Sequence, residues 1–565
     1  MKLLRVDLAK KQAVFQDTPQ KYQDLGGRGL GAKILLEEVD ASCDPLGKDN
    51  KLVFACGLLP YPQISSAGRL SAVSKSPLTG GIKESNAGGT FAHALARLGI
   101  QALVLEGKPA DEGLCLLEVS SSSVSFVPCD HLAGKGNYDT ANELLRSYGK
   151  SSSAVMIGPA GEMTLPAAAI VGTDITGDPS RAAARGGLGA VMGSKRVKAI
   201  VIKGTGSLHL DPKDPGAFED ALSRFHQALQ TPFMVGPFLK MGTTSAVGAV
   251  DKFGAFPTRN FSTGSFEGVA SISGDTVLSL VTARGGKGRF GLPCLAGCRI
   301  RCSSVIPDEK GEEIVRALEY ETLGMLGSNL GIANLDDIAL LNRLCNDYGL
   351  DTIETGAALG VAAEGGLLQF GDSDRAKQLV HEIGQGTDTG RLLGSGTAAV
   401  GRALNVKRVP CVKGQAMGAY DPRGMKALGV TYATTPQGAD HTAGHPGFGG
   451  VDHHSAVGQT EISRKAQITR AGYDTIGICT FVIMGTGDSH SVIVDLLNAA
   501  HGTDFPPDYV EALGRGVLQV EREFNRRAGF TNQDDRLPEF FRQEKLPPYD
   551  LVFDISDEEL DAVHQ

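Results

Sequence analysis

No stretch of about 18 uncharged apolar residues occurs in the 565-residue sequence, which argues against a membrane-spanning helix. The opening Met1-Lys2-Leu3-Leu4-Arg5-Val6-Asp7 alternates apolar and charged residues like a first strand and lacks an apolar export signal, so a soluble, cytoplasmic protein is expected. Basic excess is missing as well. The formal net charge is -9 with both signs interspersed, whereas phosphate recognition calls for a net basic face, so nucleic acid is not expected as a partner. Cysteine, at 10 residues, is too sparse for a disulfide-stapled secreted scaffold.

Glycine, by contrast, is plentiful at 74 residues, is not periodic, and is mixed with apolar residues. That pattern excludes collagen and disorder and suits tight turns laid against a ligand. Three of the few cysteines fall in one loop, Cys294-Leu295-Ala296-Gly297-Cys298-Arg299-Ile300-Arg301-Cys302, and a lone Cys479 follows much later. Four thiolates suit an iron-sulfur cubane because they are soft, anionic and electron-donating. Zinc also takes four thiolates, usually with two residues inside each pair, and unligated buried thiols remain a further alternative.

A chain of this length exceeds one hydrophobic core. Up to about Gly204, short β-like runs such as Lys51 to Cys56, Gln101 to Glu106 and Val197 to Ile202 are separated by glycine-rich turns. From about Pro212 amphipathic helices take over, for example behind the cap and first-turn acids Asn334-Leu335-Asp336-Asp337, with the stripe Ile338, Leu341, Leu344 and Cys345. The expected fold is α+β: a mainly-β domain over 1–207, then helical domains over 208–410 and 411–565, the last boundary near Val409-Pro410. Arg185 to Gly189 and Gly26 to Gly31 lack the order of a dinucleotide loop.

Two segments echo one another, Asn346-Asp347-Tyr348-Gly349-Leu350-Asp351 and Asp474-Thr475-Ile476-Gly477-Ile478-Cys479, each placed before a helical run. Asp351 with Glu354 reads as a capping box, a turn that offers backbone N–H groups and a polar side chain together. An ordinary helix-turn-helix corner would look the same.

Taken together, the motifs resemble the tungsten- or molybdenum-pterin aldehyde:ferredoxin oxidoreductases over nearly the whole chain. The resemblance rests on Gly26-Gly27-Arg28-Gly29-Leu30-Gly31, Lys75-Ser76-Pro77-Leu78-Thr79-Gly80, Ser85-Asn86-Ala87-Gly88-Gly89, Ile157-Gly158-Pro159-Ala160-Gly161-Glu162 and the run Arg181 to Lys195. Further on it rests on Glu319-Tyr320-Glu321, the two echoing turns, Ala419-Tyr420-Asp421-Pro422-Arg423-Gly424 and Gly438-Ala439-Asp440-His441.

What the resemblance implies is a metal held by the dithiolenes of two pterins at the domain interface, with a 4Fe-4S cluster alongside and Mg2+ bridging the pterin phosphates. Asn346, Leu350 and Asp351 would serve one pterin, and Asp474, Ile478 and Cys479 the other. Arg69, Asn86, Gly88, Arg181 and Ala182 fall on positions contacting the pterins or the magnesium, and Cys294, Cys298, Cys302 and Cys479 would ligate the cluster. The implied activity is oxidation of an aldehyde by water, with ferredoxin or a separate iron-sulfur subunit as acceptor. Glu321 is the candidate general base and His441 the candidate hydrogen-bond or proton donor to the substrate oxygen. Tyr320 and Asp440 are candidates for supporting roles. A reductase using the same cofactor on an acid or aromatic ring is the alternative within enzymology, and a non-catalytic metal-binding scaffold the alternative outside it.

Three departures stand out. Cys294 and Cys298 are separated by three residues where the family usually has two. Asn346 replaces the usual Asp of its turn, keeping an acceptor and adding a donor. Leu340 and Arg343 stand where some dimeric members carry Glu and His ligands to an iron joining subunits, so any homodimer is expected to lack a bridging metal. The substrate is not encoded legibly; Phe253-Gly254-Ala255-Phe256 and Phe448 could line its pocket or belong to the core.

Overall fold

The computed structural model describes every residue except Thr205 and Asp488. The fold is α+β, and its first part is two six-stranded sheets packed face to face.

The first sheet comprises β1 (Lys2–Asp7), β2 (Gln12–Asp17), β3 (Leu52–Cys56), β4 (Leu70–Lys75), β5 (Ile82–Ala87) and β6 (Ile100–Glu106), in the order β2-β1-β6-β3-β4-β5. The second comprises β7 (Cys115–Val119), β8 (Val124–Pro128), β9 (Ser153–Met156), β10 (Ile170–Gly172), β11 (Arg181–Ala183) and β12 (Val197–Ile202), in the order β8-β7-β12-β9-β10-β11. Each sheet is built as a hairpin, a 3-10 turn, a helix, a three-strand meander, a second helix and a return strand parallel to the first. The second sheet thus repeats the first.

Strand periodicity explains the layers. Leu52, Phe54 and Cys56 of β3 point between the sheets, while Val53 and Ala55 point outward against helix Gly27–Glu38. In β12, Val197, Ile200 and Ile202 face inward, whereas Ala199 and Val201 meet helix Asn137–Tyr148. Because both faces are covered, β3, β4, β9 and β12 are buried along their whole length, which is why, apart from the buried Lys75 and Lys198, they read as continuous apolar or small-residue runs rather than alternating ones.

Helices dominate from Pro215 onward, with a three-stranded sheet, Arg289–Leu292, Ser303–Pro307 and Glu313–Arg316, carrying the cysteine loop between its first two strands. Helix Leu335–Tyr348 starts where the sequence indicates, the Asn334 side chain accepting from the N–H groups of Asp336 and Asp337. Near Val409-Pro410 the chain forms a small hairpin, Cys411–Val412 with Gln415–Ala416. Helix Gln459–Ile476 packs on both helix Tyr509–Arg527 and helix Gly27–Glu38. The Gly26 to Gly31 run serves that contact: a Cβ at Gly27 would lie 2.1 Å from the Asp474 carbonyl oxygen, and one at Gly31 would lie 2.4 Å from Val73. Among the described residues, no helix is long and apolar enough to cross a membrane.

Candidate active site

The sequence echo is a structural one. Helices Leu335–Tyr348 and Gln459–Ile476 end on Gly349 and Gly477, at φ 70° and 80°, the left-handed conformation that glycine adopts without a Cβ penalty. In each turn the glycine and the next residue both donate back to one carbonyl, Cys345 for Gly349 and Leu350, Tyr473 for Gly477 and Ile478. Each turn then pairs with the sheet domain. Leu350 bridges Ala168 and Ile478 bridges Ala67, both antiparallel. The N–H of Asp351 reaches the Ala167 carbonyl at 3.0 Å, and that of Cys479 reaches Ser66 at 2.9 Å.

Two details differ from the sequence reading. Asp351 does cap helix Thr352–Glu364, accepting from Ile353 N–H at 2.9 Å, but Glu354 does not close a box. Its buried carboxylate accepts instead from the N–H groups of Thr397 and Ala416, at 2.8 and 2.9 Å, tying two later segments together. The second turn leads only into a 3-10 turn, Thr480–Val482, and the four-residue helix Ile483–Thr486.

Charged side chains surround both turns. Asp351 Oδ2 lies 3.3 Å from Arg185 Nε, and Arg185 also donates to the carbonyls of Ala439 and Ala416. Although burial opposes the guanidinium charge, Asp351 and Asp440 hold its pKa above the ordinary value. At the other turn, Asp474 Oδ2 lies 3.3 Å from Arg28 Nη1, while Arg28 clasps Glu521 through two 2.8 Å hydrogen bonds. Arg69 donates to Asn86, whose amide in turn donates to Glu84 at 3.1 Å. Burial, with repulsion from Asp474 added, pushes Glu84 up to about 7, and burial raises Asp474 against the pull of Arg470 and Arg28. Asn346 ties its turn to the second sheet's helix, its carbonyl accepting from Asn137 Nδ2 at 2.8 Å. Ala182 lies on β11 opposite Val171, next to Arg181, which donates to Ser303 Oγ at 2.8 Å.

The cysteines converge. Cys294 is raised well above the thiol range, first by donating to Cys298 and then by burial, and Cys298 is correspondingly lowered. Burial raises both Cys302 and Cys479, and Cys294, close to each, adds to the rise. Arg69 and Arg181 face this group and favour thiolate at Cys294. All ten cysteines are free thiols. Among the described residues no three His, Cys, Asp or Glu side chains could hold a single metal ion as they stand, so the cysteines face a common space rather than a common point.

Glu321 stands in the first turn of helix Tyr320–Met325, and His441 opens the 3-10 turn after Asp440. His441 Nε2 stands 3.1 Å from Glu321 Oε1, while Glu321 Oε2 accepts from Ala419 N–H at 2.6 Å. The 3.1 Å approach is not aligned as a hydrogen bond, which leaves Glu321 Oε1 and His441 Nδ1 without partners. Burial pushes Glu321 up to about 8 and His441 down to about 3, so near neutrality the pair is uncharged. Asp440 is held low against its burial by Lys83 and Arg185.

Each of this pair keeps 15% of its side-chain surface accessible although both lie deep enough for burial to shift them strongly, as residues bordering an internal void do. Arg69, Asn86, Gly88, Ala182, Cys294 and Arg470 share that partial exposure. Unpartnered nitrogens remain at Arg181 Nε and Arg470 Nε. Buried polar atoms are ordinarily satisfied, so a void with free guanidinium nitrogens suits a large anionic ligand. A Cβ at Gly88 would come within 3.1 Å of Cys294 Sγ, narrowing the space between the cysteines and β5. The residues present therefore fit the expected pterin pair.

Sequence reasoning passed over Arg28, Arg185, Lys83, Glu84 and Arg470 as site residues. Arg28 and Arg185 each stand in a glycine-rich run, and that combination was a usable signal: missing side chains make room for a buried guanidinium. Phe256 and Ala255 belong to the core, whereas Phe253 and Phe448 are half-buried, 6.2 Å apart, and lead through Tyr420 to His441. Arg343 is engaged within the chain, donating to the Ile314 carbonyl at 2.8 Å and stacking on Tyr138, while Leu340 is exposed.

Comparison with known proteins agrees with this arrangement. The family model described as aldehyde ferredoxin oxidoreductase, N-terminal domain, matches residues 3–204, and that for domains 2 and 3 of the same family matches residues 221–560. A tungsten-containing aldehyde ferredoxin oxidoreductase of Pyrococcus horikoshii is 32% identical over 97% of this chain and 92% of its own length. An aliphatic sulfonate oxidoreductase, WOR-like subunit, of Pyrococcus furiosus is 28% identical over 92% and 85%. The active site complex BamBC of benzoyl coenzyme A reductase, solved with 1,5-dienoyl-CoA, shares the fold at a TM-score of 0.78 and 20% identity, covering 95% of this chain and 90% of that one.

Proposed function

The chain belongs to the aldehyde ferredoxin oxidoreductase family, an oxidoreductase family, and from that premise we propose that it oxidises a small aldehyde with water to the carboxylic acid, releasing two electrons and two protons. The metal is tungsten or molybdenum held by two pterins; when bound it would polarise the carbonyl and accept the electrons. Asn346, Leu350 and Asp351 hold one pterin, Asp474, Ile478 and Cys479 the other, and Arg69, Asn86, Gly88, Arg181 and Ala182 hold their phosphates and Mg2+. Cys294, Cys298, Cys302 and Cys479 would hold a 4Fe-4S cluster, which would supply the route for electrons to ferredoxin or an iron-sulfur subunit. The division at 207/208 and 410/411 belongs to the same reading.

The observation that carries it is the approach of Glu321 to His441 on the wall of the void. A carboxyl group with a pKa of about 8 is matched to taking a proton from water near neutral pH. While Glu321 is protonated, His441 can keep its own proton on Nε2, the ring nitrogen that stands nearest Glu321, and offer it to the substrate oxygen. Loss of the Glu321 proton leaves a carboxylate that can take up a proton beside that donor, so the pair can collect a proton and direct a hydrogen bond.

The test is elemental analysis of protein purified without oxygen, joined to an aldehyde-dependent dye reduction. About one tungsten or molybdenum and about four irons per chain, with dye reduced by aldehyde, is the expected result. Zinc alone from cells supplied with all these metals, or acid reduction without aldehyde oxidation, would overturn the proposal.

A further inference from the structure

We propose that the surface over the cysteine loop, formed by Phe233, Val235, Lys240, Arg299, Arg301 and Ile483, is the docking face for a small acidic electron-transfer protein. This rests on the reading of the four cysteines as a cluster site and goes beyond it by naming where, and by what chemistry, the acceptor is recognised.

The patch is contiguous because its anchors share one apolar cluster. Ile300, between the two arginines, is buried with Met234, Phe238 and Val482, and Cys298, Cys302 and Phe481 pack against the same group. The Phe238 and Phe481 rings meet edge-on at 5.0 Å. Segment Met234–Phe238 is a π-helical turn interrupted at Gly236, and just beyond it Gly242 lies so close to the Cys302 carbonyl that a Cβ would come within 2.1 Å. The patch and the candidate cluster ligands are therefore separated by a single layer of side chains. Phe233, Val235 and Ile483, each next in the chain to one of these buried anchors, are exposed apolar side chains.

Charge supports the choice of occupant. The chain carries a net charge of -9, yet no acidic residue occurs between Asp220 and Asp251 or between Asp275 and Asp308, the two stretches that build most of this face. Lys240, Arg299 and Arg301 are exposed, and among the described residues none of the three makes an ion pair or side-chain hydrogen bond. Elsewhere on the surface basic side chains are commonly paired, as in Arg224 with Asp220 and Asp495 or Lys287 with Glu312. Unpaired cations ringing exposed apolar side chains match a partner with acidic groups around a small apolar centre. Electrostatic steering to such a patch raises association rates in a salt-dependent way.

The experiment compares the holoenzyme with Arg299→Glu/Arg301→Glu and, away from the cysteine loop, Phe233→Asp. Binding of an acidic 4Fe-4S ferredoxin is measured by surface plasmon resonance at several salt concentrations, and turnover is followed separately with a small dye and with the ferredoxin. Expected are dye-linked turnover within about twofold of wild type, ferredoxin affinity at least about tenfold weaker in both variants, and loss of salt dependence in the arginine variant. Return of affinity in Arg299→Lys/Arg301→Lys completes the support. Unchanged ferredoxin binding in both variants, or equal binding of a basic cytochrome, overturns the docking face while dye turnover still upholds the enzyme. Self-association through the patch, seen as a dimer in wild type and a monomer in Phe233→Asp, overturns it too. An enzyme without dye-linked activity overturns the functional reading instead, and the binding measurement still decides the surface.

Discussion

Leu350 and Ile478 hold equivalent places in two copies of one turn, each forming a single antiparallel bridge to the sheet domain, to Ala168 and Ala67. The partners themselves lie at matching places, Ala67 between β3 and β4 and Ala168 between β9 and β10. The duplicated sheets thus present duplicated docking strips, and the two helical turns occupy them. Two matching turns seated on matching strips suit a ligand present in two copies, and the difference between the copies, Asp351 against Cys479, is where cluster chemistry would enter.

Alanine at either turn glycine should therefore damage the site from one side. Left-handed backbone costs a non-glycine residue roughly 1–2 kcal/mol. A Cβ would also stand 2.8 Å from Gly158 N at Gly349 and 2.7 Å from Gly57 Cα at Gly477. Thermal melting should show both variants clearly less stable than Gly366→Ala, which shares a positive φ but meets nothing within 4 Å. Bound metal per chain should fall in the first two and hold in the third.

Arg28 is fully buried and bonded to two carboxylates, Glu521 and Asp474. Removing one partner of a buried ionic group strands the others, at a cost of about 3–5 kcal/mol. Arg28→Met should lower the urea midpoint accordingly, and Arg28→Met/Glu521→Leu should recover part of the loss. A single variant as stable as wild type would show that the group is not structural.

The fold class and the change from sheet to helix were legible because buried strands and capped amphipathic helices leave local patterns, as at Val197 to Ile202 and behind Asn334. The repeat of the sheets was not, since Gly26 to Gly31 and Gly136 to Thr140 start equivalent helices with unrelated side chains. The cysteines stood out by their own chemistry, whereas Glu321 and His441 were picked out only through the family resemblance; the structure places those two side by side. The site was illegible where a role depends on burial alone. Nothing in the sequence beside Lys83 or Glu84 shows that one meets Asp440 and the other is pushed up to about 7.

Cys479 and Cys345 are both raised by burial, yet their surroundings differ. Cys345 sits in the helical core with its thiol pushed up to about 12, while Cys479 neighbours Cys294 and Arg69. Cys479→Ala should remove or alter the cluster's electron paramagnetic resonance signal and slow electron transfer in a folded protein. Cys345→Ala should leave the signal intact and cost about 1 kcal/mol. An unaltered signal in the first variant would return Cys479 to the status of a buried thiol.

Subunits, if paired, should share no metal. With Leu340 apolar and Arg343 committed to Ile314 and Tyr138, the helix offers no ligands there. Iron should not exceed the cluster's complement, and sedimentation velocity before and after chelator treatment should give one and the same mass.

Glu321 should reveal itself through pH even before turnover is measured. Its carboxyl is raised from an ordinary 4.5 to about 8 in the folded chain by burial, so between those values the folded state binds more protons than the unfolded one. Stability from this group is then fully present below about pH 4.5 and is lost as pH rises through about 8, on the order of a few kcal/mol. In protein produced without tungstate or molybdate, Glu321→Gln should flatten the decline in melting temperature between pH 5 and 8, since the amide cannot ionise and still accepts from Ala419 N–H. In the loaded enzyme the same variant should keep its metal and cluster contents and lose roughly 10²-fold or more in turnover. A melting profile that parallels wild type would mean the carboxyl is not held protonated, and near-full turnover would remove Glu321 from the mechanism.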